Sequence, residues 1–270
     1  MIGKGIHEHL QKQNGETIDQ FANGAVKILQ KKTGYRFSLD AVLLASFVRI
    51  AGDERLIDIG TGSGVIALIL ARRFPGIEIT GIEIQEQMAA MAARNAAIND
   101  LSKRINILCG DARELGSLFG PSTFDAVIFN PPYRKISSGR LNAVREKAMA
   151  RHEVSGSLRI FLDSARSILT DGGKVFCIYP ARRGVELLTS MRSFSIEPKR
   201  MRIVYSHCDG DGEFMLVEGT RGGGEELKIL YPLVIYRSAN CYTDEMQGIF
   251  KNLVLPVSNG DSKFQGSSRV

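Results

Sequence analysis

The sequence predicts an α/β protein built on a mostly parallel sheet with helices on both faces. Strand-like apolar segments alternate with amphipathic helical segments from residue 55 to residue 205, and such alternation implies crossover connections between parallel strands. A glycine-rich turn joins the first of these strands to its helix. The short loop 208–212 joins the last two strands, which we therefore expect to pair antiparallel.

The alternating segments follow one another closely, apart from one long loop after the fourth strand. The strand-like segments are apolar and bounded by turn residues, whereas the helical segments carry apolar residues on one face. We predict strands at 55–59, 78–82, 105–108, 124–129, 174–179, 201–205 and 213–218, and helices at 63–74, 85–99, 157–169 and 183–191.

A small extension containing a β-hairpin and a helix is predicted to precede this core. Two short strands at 26–29 and 35–37 flank the turn 31–34, and an apolar helix follows over 39–50. Asp40 lies in the first turn of that helix, where a carboxylate is favourable.

The domain boundaries follow from these patterns. We predict an N-terminal extension over 1–50 that packs on a core domain over 51–255. The remaining residues, 256–270, are rich in serine, glycine and polar side chains. We expect this tail to be disordered and to add nothing to the core.

Composition excludes several classes of protein. The 270 residues are 44% hydrophobic and 24% charged, which is typical of a soluble globular domain. No apolar run approaches the roughly 20 residues of a membrane helix, and the N-terminus lacks an apolar signal segment. The cysteines, Cys109, Cys177, Cys208 and Cys241, form no Cys-x-x-Cys pair. We therefore expect a cytoplasmic protein without a metal site or a disulfide framework.

The turn after the first core strand has the sequence Asp-Ile-Gly-Thr-Gly-Ser-Gly over residues 58–64. Glycines there allow a tight turn and the close approach of a ligand, and the following helix N-terminus directs N–H groups towards it. The pattern also fits a loose dinucleotide fingerprint, and a tight turn without a ligand is the structural alternative. The candidate ligand-binding residues of this turn are Asp58, Gly60, Thr61, Gly62 and Gly64.

Acidic residues follow the next two strands. Glu83 ends the second strand, where a carboxylate can accept hydrogen bonds from both hydroxyls of a ribose. Asp111, followed by Ala112, comes just after the third strand and can accept from an adenine amino group. A single acid in such a position is more often a helix cap. Three binding elements after three successive strands favour a ligand that contains adenosine.

The fourth strand leads into Asn130, Pro131, Pro132 and Tyr133. Two prolines fix φ and remove N–H donors, so the turn is stiff. The oxygen of an asparagine side chain and a neighbouring carbonyl can accept both hydrogens of a planar amino group, and a tyrosine ring can stack on that group's ring system. This arrangement can prepare a delocalised nitrogen for attack on an electrophilic carbon. We predict that these four residues are catalytic, with Asn130 also lining the cofactor site.

With these residues together, the sequence resembles class I S-adenosylmethionine-dependent methyltransferases over about residues 35–220. The turn 58–64 resembles the cofactor loop of that family, Glu83 its ribose-binding acid and Asp111 its adenine-binding acid. The Asn-Pro-Pro-Tyr motif resembles the catalytic motif of members that methylate amino groups. The resemblance implies a Rossmann-like sheet of seven strands and S-adenosylmethionine as cofactor.

Three further segments are similar to the bacterial tRNA1(Val) adenine-N6-methyltransferase family. They are residues 34–45, 150–153 and 217–221. The sequence departs from that family at Arg134, where a phenylalanine is expected after the tyrosine. The resemblance implies methylation of an adenosine beside the anticodon of a tRNA.

The loop after the catalytic motif is strongly basic. Between residues 134 and 151 a single acid, Glu146, accompanies six basic residues, although the whole chain has a net charge of only +6. A phosphate backbone lying across the site would explain this cluster, and a solvated basic loop is the alternative. The candidate nucleic-acid-binding residues are Arg134, Lys135, Arg140, Arg145, Lys147 and Arg151.

Other assignments stay open at this stage. Tyr35 and Phe37 are either core residues or a cover for the cofactor, and we favour a surface pair for His152 and Glu153. The same motif also occurs in enzymes that methylate glutamine in translation release factors, and an adenine in rRNA is another acceptor. A non-catalytic RNA-binding module and a dinucleotide oxidoreductase are weaker alternatives. We expect tRNA as the partner, no membrane association, and a monomer in preference to an oligomer.

Overall fold

The computed structural model describes residues 13–22, 24–32, 39–131, 158–239 and 241–257. Its centre is a sheet in which seven long strands lie in the order β8-β9-β7-β6-β3-β4-β5, and two short strands, β10 and β11, pair with β8. The long strands are β3 (Arg55–Ile59), β4 (Glu78–Glu83), β5 (Ile105–Cys109), β6 (Phe124–Phe129), β7 (Leu169–Pro180), β8 (Ile196–Tyr205) and β9 (Gly212–Arg221), and the short ones are β10 (Lys228–Ile229) and β11 (Leu233–Val234).

β9 is the antiparallel member of this sheet, since it pairs antiparallel with both β7 and β8, while the other described pairings within the sheet are parallel. The predicted antiparallel pair near the end of the domain is therefore confirmed. The seven predicted strands are all present, and β10 and β11 extend the β8 edge beyond them.

Helices cover both faces of the sheet. The helices are α1 (Leu39–Phe47), α2 (Val65–Arg73), α3 (Glu86–Ile98), α4 (Leu115–Phe119), α5 (158–168), α6 (Gly184–Ser193) and α7 (Asp244–Asn252). One hydrophobic cluster contains α1 and α2, and the other contains α5 and the buried residues of α6. Successive strand residues alternate between the clusters, as Leu56 and Ile57 do, because side chains of a strand point to opposite faces. The predicted helices on both faces are confirmed.

The N-terminal hairpin differs from the prediction. β1 (Glu16–Phe21) pairs antiparallel with β2 (Val26–Lys31), so β2 is the second strand of its hairpin rather than the first. The predicted turn at 31–34 was wrong in including Lys31, which ends β2, and the predicted strand 35–37 lies outside the described residues. The sequence of β1 gave too weak a signal, because its burial does not follow hydrophobicity: Glu16 is buried, whereas Ile18 is exposed.

Asn95 of α3 and Asn99, which caps the C-terminus of that helix, attach this hairpin to the core. The N–H and carbonyl of Leu29 bond to the amide of Asn95, and those of Lys27 bond to the amide of Asn99. The four donor–acceptor distances lie between 2.6 and 3.1 Å. Arg94 of the same helix makes a paired hydrogen bond with Glu16 of β1. The helix therefore takes the place that a third strand would occupy beside β2.

Several element boundaries differ from their predictions for local reasons. α1 ends at Phe47 rather than at residue 50, and α2 begins after Gly64, whose φ of 82° is left-handed. β8 begins at Ile196, five residues before its prediction, because a register irregularity accommodates Pro198 within the strand. The final elements were not predicted. They are the antiparallel pair of β12 (Tyr236–Ser238) and β13 (Cys241–Tyr242), and the helix α7.

Within the described residues, no helix has the length and apolarity needed to cross a membrane. No group of three His, Cys, Asp or Glu side chains that could hold a metal ion occurs there either.

Candidate functional site

The glycine turn lies at the carboxyl edge of the sheet, between β3 and α2. Gly60, Gly62 and Gly64 have φ values of 73°, 59° and 82°, which L-residues with a Cβ adopt only with strain. The N–H groups of Gly60 and Thr61 both donate to the carbonyl of Ile82 at the end of β4. The turn is thus fastened to the neighbouring strand.

Glu83 holds two segments of this edge together. Its side chain is only 6% exposed. Oε2 accepts from the Gly62 N–H at 3.0 Å, and Oε1 accepts from the Gln85 N–H at 2.9 Å. Each carboxylate oxygen has a further lone pair, so the same side chain can also accept hydrogen bonds from a ligand.

Asp58 is the most deeply buried acid of the site, with 1% of its surface exposed. Thr61 Oγ1 donates to its Oδ2 at 2.7 Å, and Oδ1 has no hydrogen-bond partner in the described part of the protein. Burial raises the pKa of Asp58 to about 7, the Thr61 hydrogen bond opposes that rise, and the nearby charge of Glu83 adds to it.

Asp111 follows β5 and acts as a helix cap. It accepts a hydrogen bond from the Arg113 N–H at 2.9 Å at the start of the short 3-10 turn Ala112–Glu114. Its carboxylate also pairs with the Arg113 guanidinium, which lowers the pKa of Asp111. Arg113 is well exposed, and an exposed ion pair of this kind is weak enough to open for a ligand.

Asn130 follows β6 at the same edge as the glycine turn. Ile59 and Phe129 are register partners in the parallel pair β3–β6, so Gly60 and Asn130 are the next residues along two neighbouring strands. Pro131 is buried. The geometry brings the asparagine beside the glycine turn, as the sequence predicts.

Helix α1 contacts Asn130. Nδ2 of Asn130 donates to Oδ2 of Asp40, the second residue of α1, at 3.1 Å. The other end of α1 is held by two arginines: Arg73 donates to the Ala45 carbonyl, and Arg200 donates to the Phe47 carbonyl. These contacts fix the helix that delivers Asp40 to the site.

A family model described as the methyltransferase small domain matches residues 38–193. The chain belongs to this methyltransferase family. The matched region contains the glycine turn, Glu83, Asp111 and Asn130. The protein is therefore an enzyme, and the predicted class is confirmed.

Two curated relatives of this methyltransferase carry the same description. A tRNA1(Val) (adenine(37)-N6)-methyltransferase of Porphyromonas gingivalis is 35% identical over 189 residues, which cover 68% of this chain and 73% of the relative. A protein of the same description from Proteus mirabilis is 34% identical over 168 residues, covering 62% of this chain and 63% of the relative. These relatives confirm the family resemblance found in the sequence.

Solved structures confirm the Rossmann-like class I fold. A protein described as a predicted O-methyltransferase from Agrobacterium tumefaciens superposes with a TM-score of 0.66 at 23% identity, covering 81% of this chain and 98% of that one. TYW2 of M. jannaschii, solved in complex with AdoMet, has a TM-score of 0.52 at 14% identity, covering 78% and 87%. At these identities the likeness establishes the fold alone.

The methyl donor of this methyltransferase is S-adenosylmethionine. The residues at the carboxyl edge of the sheet fit that molecule. The glycine turn offers backbone close to the ligand, since a Cβ added at Gly62 would meet no atom of the described residues within 4 Å. Glu83 and Asp111 offer carboxylates after β4 and β5, and Asp58 offers a buried oxygen without a protein partner among the described residues. These donors and acceptors match an adenosine with two ribose hydroxyls.

The remaining predicted site residues, Pro132, Tyr133 and the six basic residues of 134–151, lie outside the described residues, as do Tyr35, Phe37, His152 and Glu153. The sequence interpretation missed two contributors to the methyltransferase site. Asp40 was assigned only to a helix terminus, although an acid within the apolar run 39–45 is itself a signal of a specific partner. Phe161 of α5 packs edge-on against Phe129 and would lie 3.4 Å from a Cβ at Gly60.

Proposed function

We propose that this methyltransferase transfers the methyl group of S-adenosylmethionine to the exocyclic N6 amino group of an adenosine near the anticodon of a tRNA. The observation that carries the proposal is the register of β3 and β6, which sets Asn130 directly beside Gly60. The acceptor side chain is thus adjacent to the cofactor turn. The descriptions of the curated relatives support the choice of tRNA and of N6.

The cofactor is assigned to the edge residues already described. Asp58, Gly60, Thr61, Gly62 and Gly64 would line the turn that faces it. Glu83 would accept hydrogen bonds from the ribose hydroxyls through lone pairs that Gly62 and Gln85 leave unused. Asp111 and Ala112 would contact the adenine, with Arg113 releasing the carboxylate of Asp111. The group itself supplies an electrophilic methyl carbon on a sulfonium sulfur.

Catalysis by this chain rests on positioning. Asn130 Oδ1 and the Pro131 carbonyl would accept the two N6 hydrogens of the target adenine, and Tyr133 would stack on the base. An aromatic amine is a poor nucleophile because its lone pair is delocalised, and two acceptors favour a nitrogen with a localised lone pair. Pro131 and Pro132 stiffen the turn, so little reorganisation is needed when the base arrives.

S-adenosylmethionine held at this edge would supply a methyl group with the sulfonium sulfur as leaving group. A new N–C bond to N6 would replace the C–S bond, whose electrons would stay on sulfur, and one N6 proton would leave to water. The site must admit a base that has left its stack, and anticodon-loop nucleotides are unpaired and can be presented in this way.

The basic residues of 134–151 supply the proposed tRNA contacts. Arg134, Lys135, Arg140, Arg145, Lys147 and Arg151 follow the catalytic motif directly in the chain. Neutralising phosphates with these side chains would release counterions and make binding depend on salt. The proposed substrate also places the enzyme in the cytoplasm.

The test is nucleoside analysis of total tRNA from cells with and without this protein. We expect one N6-methyladenosine to disappear in its absence, to return with the wild-type gene, and to stay absent with Asn130→Ala. An unchanged tRNA profile together with loss of methylglutamine from a release factor would instead assign the glutamine-methylating activity. Loss of the methylated base from rRNA alone would change the acceptor RNA.

A further inference from the structure

Asp40 is a buried acid that the cofactor assignment does not use. Only 7% of Asp40 is exposed, although it lies in a helix whose other residues are almost all apolar and buried. Oδ1 accepts from the Ala41 N–H at 3.1 Å, and Oδ2 accepts from Asn130 Nδ2 at 3.1 Å across 90 residues of sequence. Burying a carboxylate is costly unless specific donors face it.

An asparagine side chain has a donor end and an acceptor end, and rotation of the amide by about 180° exchanges them. An ionised carboxylate only accepts hydrogen bonds. A carboxylate at one side of Asn130 therefore selects the orientation with Nδ2 towards it and Oδ1 at the opposite end of the amide. In the reverse orientation Asn130 would present N–H groups to an amino group that also donates.

The charge of Asp40 acts in the same direction as its geometry. When the N–C bond forms, positive charge develops on N6 of the base. A carboxylate hydrogen-bonded to Nδ2 polarises the amide and makes Oδ1 a stronger acceptor, because hydrogen bonds in a chain reinforce one another. A fixed negative group near developing positive charge stabilises the transition state more than the ground state.

We propose that Asp40 is a positioning residue for methyl transfer, which sets the orientation and polarity of the Asn130 amide. This inference rests on the proposed function, because it assigns Asn130 Oδ1 to the substrate amino group. Arg73 and Arg200 hold the last turn of α1, the helix that carries Asp40.

A double-mutant cycle tests the proposal. Methyl transfer from labelled S-adenosylmethionine to total tRNA from cells lacking the protein is measured for wild type, Asp40→Asn, Asn130→Ala and the double variant. Asp40→Asn keeps the shape of the side chain but can present either end to Asn130. We expect kcat to fall about ten- to a hundredfold, the range for losing a hydrogen bond to a charged group, with KM for the methyl donor unchanged.

The effect of Asp40→Asn in the Asn130→Ala protein shows whether Asp40 acts through the Asn130 amide. In the Asn130→Ala protein, Asp40→Asn should lower kcat no further, since Asp40 would act only through the missing amide. An equal fall in both backgrounds, or a kcat within twofold of wild type for Asp40→Asn, overturns the inference. Full activity of Asn130→Ala would instead contradict the proposed mechanism itself, so the two failures are distinguishable.

A spectroscopic readout covers the case in which Asn130→Ala is too slow to measure. The side-chain amide proton of Asn130 should move upfield in the NMR spectrum of Asp40→Asn, and an unchanged position overturns the inference. Asp125→Asn is the matched control, because Asp125 lies on the same strand, β6, and pairs with Arg55. It should leave kcat and the Asn130 signal unchanged.

Discussion

The two turns that meet at the edge of the sheet are held in different ways. The glycine turn after β3 is fastened by near neighbours: Ile82 and Glu83 accept its N–H groups, and Thr61 bonds to Asp58 within the turn itself. The side chain that begins the turn after β6, Asn130, is bonded to Asp40, which lies 90 residues earlier in the chain.

The turn after β3 and the turn after β6 are therefore preorganised by different means. The cofactor side is built from consecutive βα units, so its geometry follows from local sequence and from strand register. In the proposed mechanism, the substrate side uses helix α1, which precedes the sheet in the chain, to orient its acceptor. A change in the extension can therefore alter methyl transfer without altering cofactor binding.

The largest effect is expected from the substrate side. Asn130→Ala should reduce kcat by about 10²–10³, as loss of one preorganised hydrogen-bonding group does in other enzymes, with a much smaller loss of cofactor affinity because Asn130 only lines the cofactor site. Single-turnover kinetics and calorimetric titration with S-adenosylmethionine measure the two quantities. Asn106→Ala, at an exposed position on β5, is the control. A matching loss of cofactor affinity would mean that the two turns are not separable.

The next effect concerns Asp58 on the cofactor side. The pKa of Asp58 is about 7, against an ordinary 3.8. Between these two pH values the folded protein keeps a proton on Asp58 that the unfolded chain has lost. The stabilisation from that proton is complete below pH 4 and disappears as the pH rises through 7. Asp58→Asn should remove this dependence, a change of up to about 4 kcal/mol at about 1.4 kcal/mol per pKa unit.

Urea unfolding of cofactor-free wild type and Asp58→Asn at pH 3, pH 5 and pH 8 measures this difference. Asp125→Asn provides a control of opposite sign, because its hydrogen bond to Arg55 lowers the pKa of Asp125. That stabilisation is present above pH 4 and is lost as the pH falls below it. Parallel stability curves for wild type and Asp58→Asn would show that Asp58 does not carry the proton.

The smallest effect is expected from the backbone of the glycine turn. Gly64→Ala forces a residue with a Cβ to φ 82° and brings that atom to 3.3 Å from Ala92, at a cost of about 1–2 kcal/mol. We expect a lower melting temperature and weaker cofactor binding. Gly172→Ala has a similar φ of 75° in open space, so it should lower the melting temperature alone. Unchanged cofactor affinity in Gly64→Ala would argue against a rigid turn.

Most of the core fold was predictable because the strands are short apolar runs separated by helices of regular period. Every predicted core strand and helix is present in the described residues. The N-terminal hairpin was not predictable in the same way, because β1 buries Glu16, exposes Ile18 and gains stability from Arg94 of a distant helix. The edge strands β10 and β11 have two residues each, too few for any periodicity.

The site residues fall into the same two groups, those that the sequence predicts and those that it does not. The glycine turn, Glu83 and Asp111 were recognisable because each follows its strand directly, and parallel strands bring their ends to one edge. The dual use of Glu83 as a backbone acceptor, and the pairing of Asp111 with Arg113, depend on side-chain directions that no spacing encodes. Asp40 was visible only as an acid within an apolar helix, since its partner is set by tertiary packing.

The hydrogen bonds that Asn95 and Asn99 make with β2 affect how the molecule behaves in a crowded cell. A two-stranded ribbon with a bare rim is a template on which other chains can add a strand and begin to aggregate. Asn95 and Asn99 occupy both polar groups of Leu29 and of Lys27 along that rim. The helix thereby gives the hairpin a built-in protection against unwanted self-association.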